Sequence, residues 1–201
     1  LKITLYAYTN VNRGFYMHKN SLEVNCVNKF ASIKIGNYLS KHIVKDTAII
    51  CIGTDRCIID CLGPLVGTML KKRNISLRVF GTLKDPIHAV NFVDKLEIIK
   101  NKKYSNIIAV DACLSEKRRQ GIIEIKQGSI SPGKGIGKIL PKVGDLSIIG
   151  IVDKSGLEFQ QLLQETRLSF IYEMAETIAE GIEIAQNMNN EMQLKTVDMY
   201  L

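Results

Sequence analysis

Apolar residues fall into short continuous runs along this chain, and stretches of helical period separate the runs. Three runs are rich in β-branched residues: Thr47–Ile52, Asn106–Val110 and Leu146–Val152. Such runs are typical of parallel strands that are covered on both faces. Ser76–Phe80 is a fourth strand candidate, and the alternation of apolar and polar residues over Gly121–Lys126 predicts a more exposed strand.

The segments between these runs are predicted to be helical. Apolar residues recur with helical spacing in Glu23–His42 and in Ala89–Lys100, while Leu65–Lys72 follows a Gly-Pro pair that suits a first helical turn. A long final helix is predicted from about Gly156 to about Asn187, with Ser155 as its N-cap. The apolar residues of this helix are interpreted as a core face or a homo-oligomer face.

The alternation of strands and helices predicts an α/β fold in which helices cover both faces of a mostly parallel sheet. The chain contains neither an internal repeat nor a linker, so a single domain is predicted over residues 1–188. Residues 189–201 have weak periodicity and are interpreted as a C-terminal tail.

Composition argues against several classes of protein. Hydrophobic residues make up 46% and charged residues 23% of the chain, which provides an ordinary core and argues against disorder. No apolar run approaches the roughly 18 residues of a membrane-spanning helix, and Leu1–Thr9 lacks the apolar region of a secretory signal. The five cysteines are an odd set, which favours free thiols in a reducing compartment. We therefore expect a cytoplasmic protein without a membrane partner.

The formal charge of +7 raises the question of nucleic acid. Lysine and arginine are dispersed along the chain, however, and aromatic residues that could stack on bases are not interleaved with the densest groups. Those groups are Lys71–Arg73, Lys102–Lys103 and Lys117–Arg119. We interpret the charge as favouring solubility and acidic partners, and no nucleic-acid partner is expected.

Two aspartates follow predicted strands. Ligands of open α/β sheets bind beyond the carboxyl ends of the strands. Thr47–Ile52 leads into a loop that contains Asp60, and Asn106–Val110 leads directly into Asp111. If the two strands are neighbours, both carboxylates lie at one edge, where they could share a proton, hold a cation or position a hydrolytic water. Asp60 could instead cap the helix that follows it, and Asp111 could cap a turn.

Other polar residues are predicted near the same edge. His88 follows the run Ser76–Phe80 and is interpreted either as a ligand or acid–base group or as a local backbone contact. Asp55 is interpreted as a turn residue that bonds its own backbone. The glycine-rich segment Gly128–Gly137, which contains Lys134, is interpreted as a flap over the acidic edge, with an ordinary connecting loop as the alternative.

Four cysteines are also predicted near this edge: Cys51, Cys57, Cys61 and Cys113. Their spacing does not match the usual zinc patterns, and they are interpreted as small buried hydrophobic residues. A thiol nucleophile would need a base within hydrogen-bond reach. Among the histidines, only His88 is well placed to be that base. A Cys–His peptidase is therefore a minor alternative.

Several longer motifs resemble those of the sporulation proteins of the YyaC type. They are Gly53–Gly67, which begins with Gly-Thr-Asp-Arg and ends with Leu-Gly-Pro-Leu-Val-Gly, then Gly81–Asn91, Ala109–Leu114 and Pro141–Ile148. That family is similar to the spore germination protease, which degrades small acid-soluble spore proteins. It also shares a fold with the nickel-dependent peptidases that mature hydrogenases. The resemblance implies a three-layer αβα sandwich of the phosphorylase/hydrolase-like type.

The resemblance also implies roles for particular residues. Asp60 and Asp111 match the two acidic residues that the germination protease needs, and His88 would assist them. In the hydrogenase peptidases the equivalent positions contact nickel together with a histidine. A divalent metal at Asp60, Asp111 and His88 is therefore the alternative to a metal-free site. The candidates for contacting substrate are Thr54, Asp55, Arg56 and Lys134.

The expected function is that of a peptidase acting in sporulation or germination, in the cytoplasm of the sporulating cell or in the spore core. Its expected substrates are proteins or peptides, including small acid-soluble spore proteins. The chain is much shorter than the germination protease. A non-catalytic spore-assembly or regulatory protein that binds a peptide or metal on the same fold is therefore the alternative.

Overall fold

A computed structural model of the chain describes residues 21–73, 75–133, 139–154 and 163–198, with the backbone alone over 192–198. Within these residues, six strands, four helices and one short 3-10 turn have defined bounds, and residues 163–165 are also helical. The elements with defined bounds are β1 Ser21–Asn25, α1 Ala31–Leu39, β2 Thr47–Cys51, the 3-10 turn Ile58–Asp60, α2 Leu62–Lys72, β3 Arg78–Phe80, α3 Phe92–Lys100, β4 Asn106–Leu114, β5 Ile122–Gln127, β6 Leu146–Asp153 and α4 Leu168–Asp198.

The strands form one sheet in the order β1-β5-β6-β4-β2-β3. The neighbours β3, β2, β4 and β6 run parallel, whereas β5 is antiparallel to both β6 and β1. All residues of β2 and β6 are buried, as expected for parallel strands with both faces covered. The prediction of a mostly parallel sheet is therefore confirmed. β2 pairs with β4, so the condition under which Asp60 and Asp111 share one edge is met.

Helices cover both faces of the sheet. On one face, α1, α2 and α4 pack over a large apolar cluster that includes Ile35, Leu62 and Ile178. On the other face, α3 contributes Phe92 to a smaller cluster, which also contains Ile130 from the segment that follows β5. This layering confirms an α/β architecture with helices on both sides. None of the described helices is long and apolar enough to cross a membrane.

The predicted helix Glu23–His42 is wrong in its first part. Residues Ser21–Asn25 form β1 at one end of the described sheet, and the helix begins only at Ala31. Val24 is the one fully buried residue of β1, and the strand pairs with β5 on one side. A strand this short has too few alternating positions to be distinguished from a helical turn by periodicity alone.

The final helix differs from its prediction at both ends. Residues 163–165 are helical as predicted, but Thr166 and Arg167 are not, so the final helix begins only at Leu168. The predicted N-cap Ser155 lies outside the described residues. The helix continues to Asp198, so residues 189–198 are helical where a tail was expected. The first of them is tied to the domain, since the Asn189 side chain donates a hydrogen bond to the Ile43 carbonyl at 2.8 Å.

The parallel strands give the sheet two distinct edges. We call the edge where β2, β4 and β6 end the carboxyl edge, and the edge where they begin the amino edge. β2 leads through α2 to β3 on one side, whereas β3 leads through α3 to β4 on the other side of β2. Since α2 and α3 lie on opposite faces, the chain reverses its direction of winding between β2 and β4. Ligands of open α/β sheets bind at this point of the carboxyl edge.

Candidate active site

Asp60 is held at the carboxyl edge by a tightly closed loop. The loop leaves β2 through Gly53, and the Thr54 N–H donates to the Asp60 carbonyl oxygen at 3.0 Å. Gly53 has a φ of 136°, and a Cβ there would overlap that same carbonyl oxygen. A Cβ at Gly63 would likewise overlap the backbone of Ile52. The glycines of the Gly53–Gly67 motif thus allow backbone segments to touch, and this contact sets the position of Asp60.

Asp111 lies where β2 separates from β4. Cys51 is the last residue of β2 and pairs with Val110, whose carbonyl still accepts the Ile52 N–H at 2.8 Å. The sequence predicted that Asp111 follows the strand. β4 instead continues beside β6 to Leu114, so Asp111 lies within the strand. Alternate residues of a strand face the same neighbour, so the Ala112 N–H points to the side that β2 has left. It donates to the Asp111 carboxylate at 2.9 Å.

Burial raises the pKa of both aspartates, and the charge of Asp60 adds to the shift of Asp111. Burial raises the pKa of Asp60 to about 7, although a hydrogen bond from the Thr54 N–H opposes the shift. Burial raises the pKa of Asp111 well above its ordinary value, and the negative charge of Asp60 raises it further. Both side chains nevertheless remain partly exposed. Near neutral pH Asp60 is therefore partly ionised, and the raised pKa of Asp111 favours its protonated form.

The interpretation of Asp60 as a helix cap is wrong. Cys57 precedes the 3-10 turn and Cys61 precedes α2, and neither helix start has a side-chain cap. The alternative for Asp111, the cap of a turn after its strand, is also wrong, because β4 continues to Leu114 and the carboxylate accepts the next N–H of that strand. Neither carboxylate is thus used to stabilise a helix end, which leaves both available for chemistry.

A pH dependence of stability follows from the raised pKa of Asp60. Because the folded pKa, about 7, exceeds the ordinary value of 3.8, the unfolded state loses its proton first as the pH rises. The free energy of unfolding therefore falls between about pH 4 and about pH 7. We expect Asp60→Asn, which has no charge to desolvate, to raise the free energy of unfolding at about pH 8 by about 2 kcal/mol and by less at about pH 5.

Urea denaturation of wild type and variant at the two pH values measures this effect. The matched control is Asp55→Asn, which neutralises an exposed carboxylate in the same loop and removes no desolvated charge. A variant that loses more stability at about pH 8 than at about pH 5 would contradict the stated environment of Asp60.

His88 lies at the same edge but not as a third ligand. The Ile87 carbonyl accepts the Gly53 N–H at 2.8 Å, which places His88 beside the loop that carries Asp60. Nδ1 of His88 accepts the Val90 N–H at 3.2 Å, so the proton of the neutral ring lies on Nε2. The local-contact interpretation of His88 is therefore confirmed for one nitrogen, and the other nitrogen is a donor.

The proposed metal-ligand set is not formed. The described residues contain no group of three or more histidine, cysteine or acidic side chains that could hold a metal ion. Asp60, Asp111 and His88 are all described, so the structure does not bring them together as a three-ligand set. One reason is that Nδ1 of His88 turns back to its own backbone, where Asn91 also fixes the turn by accepting the His88 N–H at 2.9 Å.

The substrate-contact candidates divide into three groups. Asp55 and Arg56 are exposed at the carboxyl edge, and Thr54 is partly exposed. Asp55 was predicted to make the side-chain hydrogen bond of this turn. Thr54 makes it instead, because Thr54 Oγ1 accepts the Arg56 N–H at 3.3 Å. Lys134 lies outside the described residues, but residues 128–133 of the proposed flap are described. They lie at the amino edge, because the Gly128 N–H donates to the Asp145 carbonyl just before β6 at 2.8 Å, so the prediction that this part covers the acidic edge is wrong.

The cysteines near the edge are poor nucleophiles. Burial raises the pKa of Cys51, Cys57, Cys61 and Cys113, to about 11 for Cys61 and to about 12 for Cys113. All are free thiols. Because the thiolate is the reactive form, these side chains are unreactive near neutral pH, which favours their interpretation as packing residues.

An ion pair between Glu124 and Arg118 lies near Asp111, and it was not predicted from the sequence. Glu124 on β5 and Asp111 on β4 both pair in register with Ile149, so they flank it on one face of the sheet. The Glu124 carboxylate lies 2.7 Å from Nη1 of Arg118, and both charges influence the pKa of Cys113. The alternation over Gly121–Lys126 does place Glu124 on one face, but the sequence does not show that β5 is an inner strand.

The fold and this edge define an α/β protein with a desolvated, coupled pair of aspartates at a topological switch point. Residues 23–181 match the family model described as "Protein of unknown function (DUF1256)", and the chain belongs to that family. It is 45% identical over 152 residues to the "Uncharacterized protein YyaC" of Bacillus subtilis (strain 168), covering 75% of this chain and 74% of that protein. The resemblance to proteins of the YyaC type is thereby confirmed.

Proposed function

We propose that the chain is a peptidase that hydrolyses an amide bond of a protein or peptide substrate through Asp60 and Asp111. The observation that carries the proposal is the environment of the pair: two largely desolvated carboxyls at a switch point, with the pKa of Asp60 raised to about 7 and that of Asp111 raised well above its ordinary value. Pairs of titratable groups whose environments separate their pKa values supply a base and an acid together.

The chemistry assigns one role to each aspartate. The ionised Asp60 carboxylate accepts a proton from a water molecule as the water oxygen attacks the carbonyl carbon of the substrate. The protonated Asp111 donates its proton to the carbonyl oxygen, which becomes a hydroxyl group. When the C–N bond breaks, the proton held by Asp60 passes to the leaving amine, and the hydroxyl proton returns to Asp111. A base with a pKa near 7 suits this task at neutral pH.

Neighbouring residues would hold the substrate. Asp55 and Arg56 are exposed beside the pair, and the Nε2–H of His88 is a donor for a substrate carbonyl. The motifs resemble those of the YyaC type, and the similarity of that family to the spore germination protease is the support for both the peptidase activity and a phosphorylase/hydrolase-like αβα sandwich. On this proposal the protein acts in the cytoplasm of a sporulating cell or in the spore core, on substrates that include small acid-soluble spore proteins.

Cleavage of protein substrates as a function of pH tests the proposal. Purified protein is incubated with small acid-soluble spore proteins, and new chain termini are counted by mass spectrometry. We expect kcat/KM to rise as the pH approaches about 7, because Asp60 must be ionised, and to fall at higher pH, where Asp111 loses its proton. Binding of these proteins without new termini would replace the peptidase with a peptide-binding protein, and a pH-independent rate would exclude the assigned roles.

A further inference from the structure

The fold gathers lysines that are scattered along the sequence. Eight exposed lysines lie at the amino edge, opposite the aspartate pair. They are Lys41 and Lys45 before β2, Lys71 and Lys72 at the end of α2, Lys100, Lys102 and Lys103 between α3 and β4, and Lys142 before β6. We expected no nucleic-acid partner because the lysines are dispersed along the sequence. On the surface of the folded protein, these eight lysines are clustered.

Helix-end electrostatics explain only part of this arrangement. Positive side chains in the last turn of a helix stabilise its dipole, which accounts for Lys71, Lys72 and Lys100. The other five lysines lie outside the helices, in the connections that lead to the strands. Their exposure and position need another explanation.

These lysines are not neutralised by neighbouring carboxylates. None of the eight forms an ion pair with a side chain of the described residues, whereas Arg73 at the same edge pairs with Glu183 at 3.0 Å. Of the nearby acidic groups, Asp145 accepts the Ile107 N–H at 2.8 Å, and Asp46 is a turn residue with a φ of 62°. The described part of the amino edge is therefore strongly positive.

We propose that the amino edge binds the phosphate backbone of duplex nucleic acid without sequence preference. Four parallel strands span about 15 Å, and a helix layer on each face adds about 10 Å. Because duplex DNA carries one charge per about 1.7 Å of its axis, an edge of this size faces several phosphates at once. The proposed binding site lies at the amino edge, whereas Asp60 and Asp111 lie at the carboxyl edge. The binding proposal is therefore independent of the peptidase proposal.

Two features favour a duplex over other polyanions. Single-stranded nucleic acid is bound by stacking on aromatic rings, but the described tyrosines at this edge are partly buried and already packed. Tyr104 packs edge-on against Phe80, and the Tyr38 ring lies 5.0 Å from the His42 ring. An anionic membrane would require an apolar face beside the charges. The exposed large hydrophobic residues of the described connections at this edge are Val44 and Ile139, and they lie in two different connections, before β2 and before β6. Charge without stacking or insertion fits phosphate contacts.

Fluorescence polarisation with a labelled duplex of about 20 base pairs of mixed sequence tests the proposal, at salt concentrations from about 0.05 to about 0.2 M. The test variant is Lys41→Gln, Lys45→Gln, Lys102→Gln and Lys103→Gln combined, which changes no helical residue. We expect affinity to fall at least about tenfold at about 0.1 M salt, and the slope of log affinity against log salt to become shallower by about 2 to 4.

The matched control removes four positive charges from the carboxyl edge: Lys29→Gln, Lys84→Gln, Arg119→Gln and Lys154→Gln combined. This control should keep most of the affinity and slope of the wild type. Equal losses in the two variants would overturn the proposal in favour of net charge alone. Wild-type binding that is absent, or that occurs to phosphatidylserine vesicles but not to the duplex, would also overturn it.

Discussion

Asp60→Asn is expected to reduce kcat/KM for peptide-bond hydrolysis by at least about 10³-fold, because an amide cannot accept the proton of the attacking water. Asp111→Asn should reduce it by about 10² to 10³-fold, since its amide can still donate a hydrogen bond to the carbonyl oxygen but cannot transfer a proton. In Asp111→Asn any residual activity should also lose its decline at high pH. Steady-state assays on the same protein substrate at several pH values measure both effects.

The folded state of these variants provides an internal check. Both replacements preserve the shape of the side chain and remove a carboxyl whose pKa is raised by burial, so both variants should be at least as stable as the wild type near neutral pH. Loss of activity with unchanged or increased stability therefore separates a chemical role from a structural one. Asp94→Asn removes an exposed carboxylate on α3 and is the activity control. Full activity in Asp60→Asn would exclude the assigned mechanism.

Strand positions could be predicted from the sequence because burial on both faces leaves a continuous apolar signal. β2 and β6 carry such runs, and their observed bounds differ from the predicted ones by one residue. β1 could not be predicted, because one buried residue, Val24, does not establish a period. The strand order could not be predicted either, since nothing local in β5 shows that it inserts between β1 and β6.

The location of the candidate site could be predicted from strand ends, but its chemistry could not. Asp60 and Asp111 follow apolar runs, and the parallel pairing of β2 with β4 brings them to one edge. Their raised pKa values depend on how much of each carboxyl is desolvated and on how far β4 extends beyond β2. These are three-dimensional properties, and they separate the site interpretation from the cap interpretation that the sequence left equally open.

The glycine motifs show how a sequence signal can be structural while still defining a site. In the Gly53–Gly67 motif, Gly53 and Gly63 lie on either side of Asp60 in the sequence, and at both positions two backbone segments touch. A resemblance carried by such residues establishes the shape of the loop more directly than it establishes a reaction. The carboxylate supplies the reactivity, and the glycines place it.

Gly53→Ala is expected to lower the free energy of unfolding by about 3 kcal/mol, in two separable parts. The first part, about 1 to 2 kcal/mol, is the strain of a Cβ at a φ of 136°. The second part, about 1 to 3 kcal/mol, arises because the Cβ would overlap the Asp60 carbonyl oxygen, so the loop must move. Denaturation in urea measures the sum of the two.

The control Gly128→Ala isolates the first part. Gly128 also has a positive φ, 104°, but a Cβ there would meet nothing within 4 Å. If the two variants lose the same stability, the contact between Gly53 and Asp60 is not a constraint on the loop. If Gly53→Ala loses more, the displaced loop should also expose the Asp60 carboxyl. Its pKa, followed by carbon NMR, should then fall from about 7 toward its ordinary value while the pKa in Gly128→Ala stays unchanged.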